Sequence, residues 1–450
     1  MTGGSVAPGG GAAPRGGAPA GAGPVPGGMV TPGGMAPQGG ASLRLPAEHF
    51  VAGIVFLVAG GAGLVWIAPE LARGLYQSPH VAGVTHLFTL GWLTTTIFGA
   101  LYQLIQVALG ASVRSERLGH VGFWFFVPGV AVFAPGVMTQ SVVLHHAGLT
   151  GIGIGLACAI VNIAMSLKSA AIRDVVWYSV AVSMTYLCTT FILGIVLVHN
   201  IHTGFLGGGR VTTVAIHLHV AIIGWVLIMI AGVSRRLLPM FLLSHTVSPR
   251  LNAASVAFLA SGLAILAWGL TAAPPSVAWA GLVLIEAGLA AFVVQGARNM
   301  RARKRPGLDA GLLHVRAALV VFVIAGLLAP FVLHRGADHR GLATIYILTG
   351  LLGAIGVMVM GLQYKVVPFL AWVARYRGRV GRERVPVVAQ LTSPRAGRVG
   401  LALALGGVAL LDLGVIMVQP LVAYAGAALF FAATVNFMLQ LRHAAWGTIA

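Results

Sequence analysis

Acidic side chains are scarce in this chain. There are 9 Asp and Glu among 450 residues, against 28 Lys and Arg, and only 8% of the residues are charged. A soluble domain carries about 25% charged residues. With 58% hydrophobic residues, the shortage excludes a soluble globular protein and points to an integral membrane protein whose first partner is the lipid bilayer. Cysteine is nearly absent too. Cys158 and Cys188 both lie in apolar runs and read as small buried thiols. The chain has no C-x-x-C-H, which excludes covalently attached c-type haem, and no thiolate cluster for an iron–sulfur centre. The net charge of +19 would suggest nucleic acid in a soluble protein. Here the basic residues sit in short loops between apolar runs. They read as topology signals and contacts to anionic lipid, not as a nucleic-acid surface.

Residues 1–45 are Gly, Pro and Ala with little else. Such a tail cannot bury a core and is expected to be disordered. It lacks the apolar core and cleavage site of a signal peptide. Beyond it, apolar runs of spanning length fall at approximately 48–68, 81–109, 118–138, 141–166, 176–199, 212–238, 250–271, 276–297, 312–334, 341–372, 397–418 and 420–442. The expected fold is all-α and integral to a membrane, with about twelve transmembrane helices within residues 46–443. Basic residues gather in alternate loops, as Arg298, Arg301, Arg303, Lys304 and Arg305 do after the eighth run. By the positive-inside rule both termini are cytoplasmic, the tail included, in a cytoplasmic (inner) membrane.

What is present is a phrase written three times. HLFTLGWLTTTIFGALYQL begins at His86, HLHVAIIGWVLIMIAGVSRRLLP at His217, and TIYILTGLLGAIGVMVMGLQYKVVP at Thr344. A shift of 133 carries His86, Gly91, Trp92 and Gly99 onto His219, Gly224, Trp225 and Gly232. A further shift of 129 carries Gly224, Gly232 and Pro239 onto Gly353, Gly361 and Pro368. The period far exceeds a solenoid unit. It implies three four-helix units, approximately 48–166, 176–297 and 312–442, around a pseudo-threefold axis. The repeated phrase is the second helix of each. The glycines permit close helix packing, and Pro239 and Pro368 are expected to kink or end their helices.

The histidines favour one leaflet. His86, His145, His146, His199, His202, His217, His219, His334 and His339 fall at the expected outer side; His49, His120, His245, His314 and His443 fall at the inner side. An imidazole within a bilayer needs a partner, and haem or a metal ion is a common one. His86 and His219 hold corresponding places on helices expected to be neighbours, where two imidazoles could hold haem iron from both faces; the simpler alternative is a hydrogen bond from each to a backbone carbonyl. His217 and His219 are two residues apart and point to nearly opposite sides of a helix, so one helix could serve two pockets, unless one of them faces outer water. His199 and His202 share a helix face if the helix reaches that far. With His145 and His146 they are candidates for a copper-like site or a second haem, or for a solvated interfacial cluster. Glu286 and Asp412 lie within spans, where ionisable groups suggest proton relay; either can equally be hydrogen-bonded in a helix interface.

Twelve helices in three units, a histidine near the outer end of the second and an H-x-H in one repeat phrase resemble subunit I of the haem–copper oxidase superfamily, over most of residues 48–443. The resemblance implies a low-spin haem ligand at His86 and a copper ligand on the sixth helix at His217 or His219. The family's own H-x-H lies on the tenth helix, where this chain has Tyr346 and Leu348, and its His-His copper pair lies on the seventh, where residues 250–271 hold no histidine. The complete oxygen-reducing site is therefore not carried over. The pattern is that of a divergent member, comparable to the NnrS-like membrane haem proteins linked to nitric oxide. The expectation is a haem b protein with His86 and His219 as axial ligands, in electron transfer or in reduction or sensing of a diatomic gas such as nitric oxide or oxygen. Its electron donor would be a subunit or a cytochrome. The rival readings are a secondary transporter, although the repeats are not inverted, and a haem-free assembly subunit.

Overall fold

The computed structural model describes residues 43–244, 248–271, 273–304, 307–335 and 339–446. The expected tail through residue 42, His245 and Arg305 lie outside the described residues. Twelve helices are long and apolar enough to cross a membrane: α1 (Arg44–Trp66), α2 (Pro79–Leu109), α3 (Glu116–Thr139), α4 (Val142–Lys168), α5 (Val175–Thr203), α6 (Gly207–Leu242), α7 (Pro249–Gly269), α8 (Pro275–Arg301), α9 (Ala310–Arg335), α10 (Arg340–Arg379), α11 (Pro394–Met417) and α12 (Pro420–Trp446). No β-strand occurs among the described residues, and the class is all-α and multi-spanning.

Short polar caps set where many of these helices begin. Ser78, Ser115, Ser141, Ser248 and Ser393 each accept a hydrogen bond through Oγ from a backbone N–H of the first turn, and Asp174 does so for α5. Each cap satisfies a donor that the first turn leaves free. Glycines in the left-handed region close α2 and α5, at Gly110 (φ 62°) and Gly204 (φ 69°). Of the two outcomes expected at Pro239 and Pro368, a kink or an end, the end does not occur. Both lie inside their helices, which continue to Leu242 and at least Tyr376.

The same helix pairings recur along the chain. The third and fourth helices of each set of four form a tight hairpin, and the first packs along the second. The repeated glycines make that second contact possible. A Cβ on Gly99 would lie 2.7 Å from the His49 side chain of α1. One on Gly232 would overlap Ser179 of α5, and one on Gly361 would lie 2.7 Å from the Gly311 carbonyl of α9.

The repeated helices α2, α6 and α10 form the centre. They are 67, 56 and 72% buried along their most apolar windows, against 28–50% for the other nine. Indoles tie them together. Trp225 Nε1–H of α6 donates to Thr94 Oγ1 of α2 at 3.0 Å. Trp92 Nε1–H of α2 donates to Gln363 Oε1 of α10 at 3.0 Å, and Gln363 in turn donates to Thr96 Oγ1 at 3.3 Å. Each such bond contributes about 1 kcal/mol net. Ala354, the third equivalent of these tryptophans, carries no donor in its side chain.

All three central helices switch from α to π winding at corresponding places: Leu87–Thr94, Val220–Leu227 and Leu348–Gly356. Wide π turns of this length are rare and concentrate at functional sites. In α2 the Thr94 and Thr95 hydroxyls donate to the carbonyls of Thr89 and Leu90, five residues back. The π stretch begins one residue beyond His86 and His219, so the histidines stand where the winding changes.

Candidate functional site at two cavities flanking the sixth helix

The H-x-H of α6 faces two ways. Leu218 lies between its histidines, and successive helical residues turn by about 100°. His217 and His86 line one cavity of about 60 Å³, enclosed by α2, α3, α4, α5 and α6. His219 lines a different cavity, with two adjoining lobes of about 150 and 250 Å³, bounded by α6, α7, α8, α9, α10 and Tyr76 of the α1–α2 connection.

In the first cavity the rings of His86 and His217 lie 6.5 Å apart, centre to centre, with their planes at 38°. His86 Nδ1–H donates to Ala82 O at 2.7 Å. The carbonyl can only accept, so this bond fixes the tautomer and leaves Nε2 with a free lone pair. His217 Nδ1 is buried with no hydrogen-bond partner. An orphaned buried group of this kind costs about 1–3 kcal/mol, a cost that a ligand at the ring would offset. A Cβ added to Gly194 of α5 would come within 3.6 Å of the His217 ring, so that glycine leaves space beside it.

In the second cavity the His219 ring stacks on Tyr346, with centres 5.9 Å apart and planes at 26°. His219 Nδ1–H donates to Ala215 O at 2.8 Å, again leaving Nε2 as the free nitrogen. The Tyr346 hydroxyl stands 3.5 Å from it, at the outer limit of a hydrogen bond. Glu286 of α8 lines both lobes. A Cβ on Gly326 of α9 would lie 2.6 Å from Glu286 Oε2, so the carboxylate occupies room that only glycine leaves.

The two pairs correspond under the sequence repeat. The 133-residue shift carries His86 onto His219, and the 129-residue shift carries His217 onto Tyr346. Each pair joins one central helix to the next. At the third interface the corresponding residues are Leu348 of α10 and Val84 of α2, which are buried and apolar. The structure thus brings His86 beside His217, and the two residues of the expected His86–His219 pair line separate cavities. The reason is rotational. Residues related by a cyclic repeat point the same way around the axis, so each meets a different residue of the next unit and not its own equivalent.

The remaining histidines divide. The α5 helix continues to Thr203, as sharing a face requires, yet His199 turns to Phe205 while His202 joins α4. His145 Nδ1 and His202 Nε2 are hydrogen-bonded at 3.0 Å, and the His146 ring stacks on His202 at 6.2 Å. His145 is fully buried, with its Nε2 unpartnered, and Phe133 stands between it and His86. Among the described residues no group of three or more His, Cys, Asp or Glu side chains is arranged to hold a metal ion. Asp412 of α11 accepts from Thr349 Oγ1 of α10 at 2.8 Å, while its Oδ1 is buried without a partner. Sequence reasoning did not single out Tyr346 as a site residue; its signal was its place on His217 under the 129-residue shift.

Haem is the group that the resemblance implies. The donors of the first cavity suit its iron: two imidazoles of different helices, one with Nε2 exposed by its tautomer and one with an orphaned nitrogen. Their ring centres lie 6.5 Å apart. At about 60 Å³ the space between them is narrow, and a macrocycle also requires its apolar walls to part. No protein-family model matches this chain, and comparison with curated proteins gives no significant match.

Proposed function

We propose that the protein is a b-type haem protein of the cytoplasmic membrane, with both termini on the cytoplasmic side, and that it transfers electrons. His86 and His217 would hold the iron from α2 and α6. The observation that carries this reading is the facing of these two imidazoles in one cavity. Ala82 O orients His86 by accepting its Nδ1–H, and the apolar walls exclude water from the pair. When bound, the haem would supply reversible one-electron chemistry. Two protein donors leave no open position on the iron, which favours electron transfer over gas reduction. On this reading the chain is a divergent relative of haem–copper oxidase subunit I, with its haem moved to the α2–α6 interface.

The test is a reduced-minus-oxidised visible spectrum of the purified protein, with iron and copper quantified on the same sample. The expected result is a sharp low-spin b-type signal that is lost in His86→Ala and His217→Ala and kept in His219→Ala. A colourless, iron-free protein from a haem-sufficient host overturns the reading and moves transport or a haem-free assembly role to the front.

A further inference from the structure

The second cavity is built differently from the first, and its chemistry points to a ligand of its own. Its walls are mostly apolar side chains, interrupted by His219, Tyr346 and Glu286 and, toward one end, by Tyr76 and Thr212. No hydrogen bond or ion pair engages the Glu286 carboxylate among the described residues. A carboxyl group at membrane depth is costly, and among the described residues no protein group is bonded to it. His219 Nε2 is the free acceptor of its ring, with Nδ1–H committed to Ala215 O. Tyr346 contributes a hydroxyl that can donate or accept. One apolar chamber therefore holds two acceptors and a switchable hydroxyl, beside two near-parallel aromatic rings.

Two of the helices that wall the chamber also carry apolar side chains on the outer surface of the bundle. Val283, one turn before Glu286 on α8, is 64% exposed, and Leu327, next to Gly326 on α9, is 66% exposed. Both are apolar side chains on the outer surface of the bundle. A ligand entering there comes from the membrane phase. Each lobe, of about 150 or 250 Å³, is smaller than the roughly 300–1,000 Å³ of a site that engulfs a drug-sized molecule, and either suits a headgroup whose tail stays in lipid. A phosphate headgroup would meet no Lys or Arg among the lining residues. A flat ring bearing two hydroxyls meets acceptors at Glu286 and His219 and an aromatic face at Tyr346.

We infer that this cavity binds the headgroup of a quinol, the reduced form of a quinone-class lipid, with Glu286 and His219 accepting from its hydroxyls and Tyr346 against its ring. The inference stands on the second cavity alone and does not require the haem. Gly350 supplies the means to test it. It lines the lobe of about 150 Å³ beside Tyr346, and a Cβ built on it meets nothing within 4 Å. Gly350→Leu therefore places a side chain in that lobe from a Cβ with room around it.

The experiment is equilibrium binding of radiolabelled decylubiquinol, kept reduced under anaerobic conditions, to the full chain in nanodiscs, corrected for partitioning into empty nanodiscs. Saturable binding near one equivalent per chain is expected. Glu286→Leu and His219→Phe should each weaken it by about tenfold, since each removes the acceptor of one quinol hydroxyl, and Gly350→Leu should abolish it. His86→Ala should bind as well as the wild type, which separates this result from the fate of the haem assignment. Gel filtration confirms that each variant is folded. Binding that only follows partitioning, or that Gly350→Leu leaves unchanged, overturns the inference. So does displacement of the quinol by ordinary phospholipid at equal concentration.

Discussion

The two cavities beside α6 are versions of one arrangement, and they differ in what stands opposite the histidine. In the first, His86 meets an imidazole, His217. In the second, the equivalent His219 meets a phenol, Tyr346, and a carboxylate is added from α8. At the third interface both positions are apolar. The comparison teaches that the repeated phrase provides a frame, and that two positions per interface decide its chemistry. A pair of imidazoles is a metal-ligand set. An imidazole with a phenol and a free carboxylate is a set for hydrogen-bonding and proton exchange with an organic ring. The buried leucine and valine serve packing alone.

The sharpest way to break the comparison is to remove one donor at a time. His86→Ala and His217→Ala should each lower haem iron from about one per chain toward zero, while His219→Ala should leave it nearly unchanged; equal loss in all three would mean that the cavities act as a single site. Next in size is a conversion. Tyr346→His gives the second cavity the donor pair of the first, and the expected outcome is a second equivalent of bound iron in the same assay. Iron content that stays at one would show that cavity shape, and not donor type, separates the two.

Smaller effects test the frame. Gly224→Ala drives a Cβ to 2.6 Å from the Tyr186 ring and should destabilise the protein by about 1–3 kcal/mol. Gly350→Ala meets open space and should be neutral, or stabilising by up to about 1 kcal/mol through helix propensity. Thermal unfolding in detergent, followed by circular dichroism, distinguishes them. Smallest are the indole contacts. Trp92→Phe and Trp225→Phe each remove one central hydrogen bond and should cost roughly 1 kcal/mol in the same measurement.

Much of the frame can be read from the chain. Spanning helices follow from long apolar runs, because a bilayer demands about 20 apolar residues with every backbone polar group satisfied internally. The opposite facing of His217 and His219 follows from a two-residue spacing on a helix. The glycine contacts were expected as close packing, and Gly99, Gly232 and Gly361 make them. Other features had no local signal. Winding depends on which carbonyls neighbouring hydroxyls and helices can satisfy, and nothing in LFTLGWLT distinguishes π from α. The α5 helix reaches His202, yet only helix packing turns that ring to His145 and sends His199 to Phe205.

Sequence by itself determined that this is a multi-spanning helical protein with a thrice-repeated central helix and histidines concentrated toward one end. Apolar length and residue spacing are local properties, and they act before any helix meets another. Only the tertiary structure decided which ring each histidine faces. Partner choice depends on how neighbouring helices are rotated about their axes, and in a cyclic repeat that rotation brings unlike positions together: His86 to His217, and His219 to Tyr346.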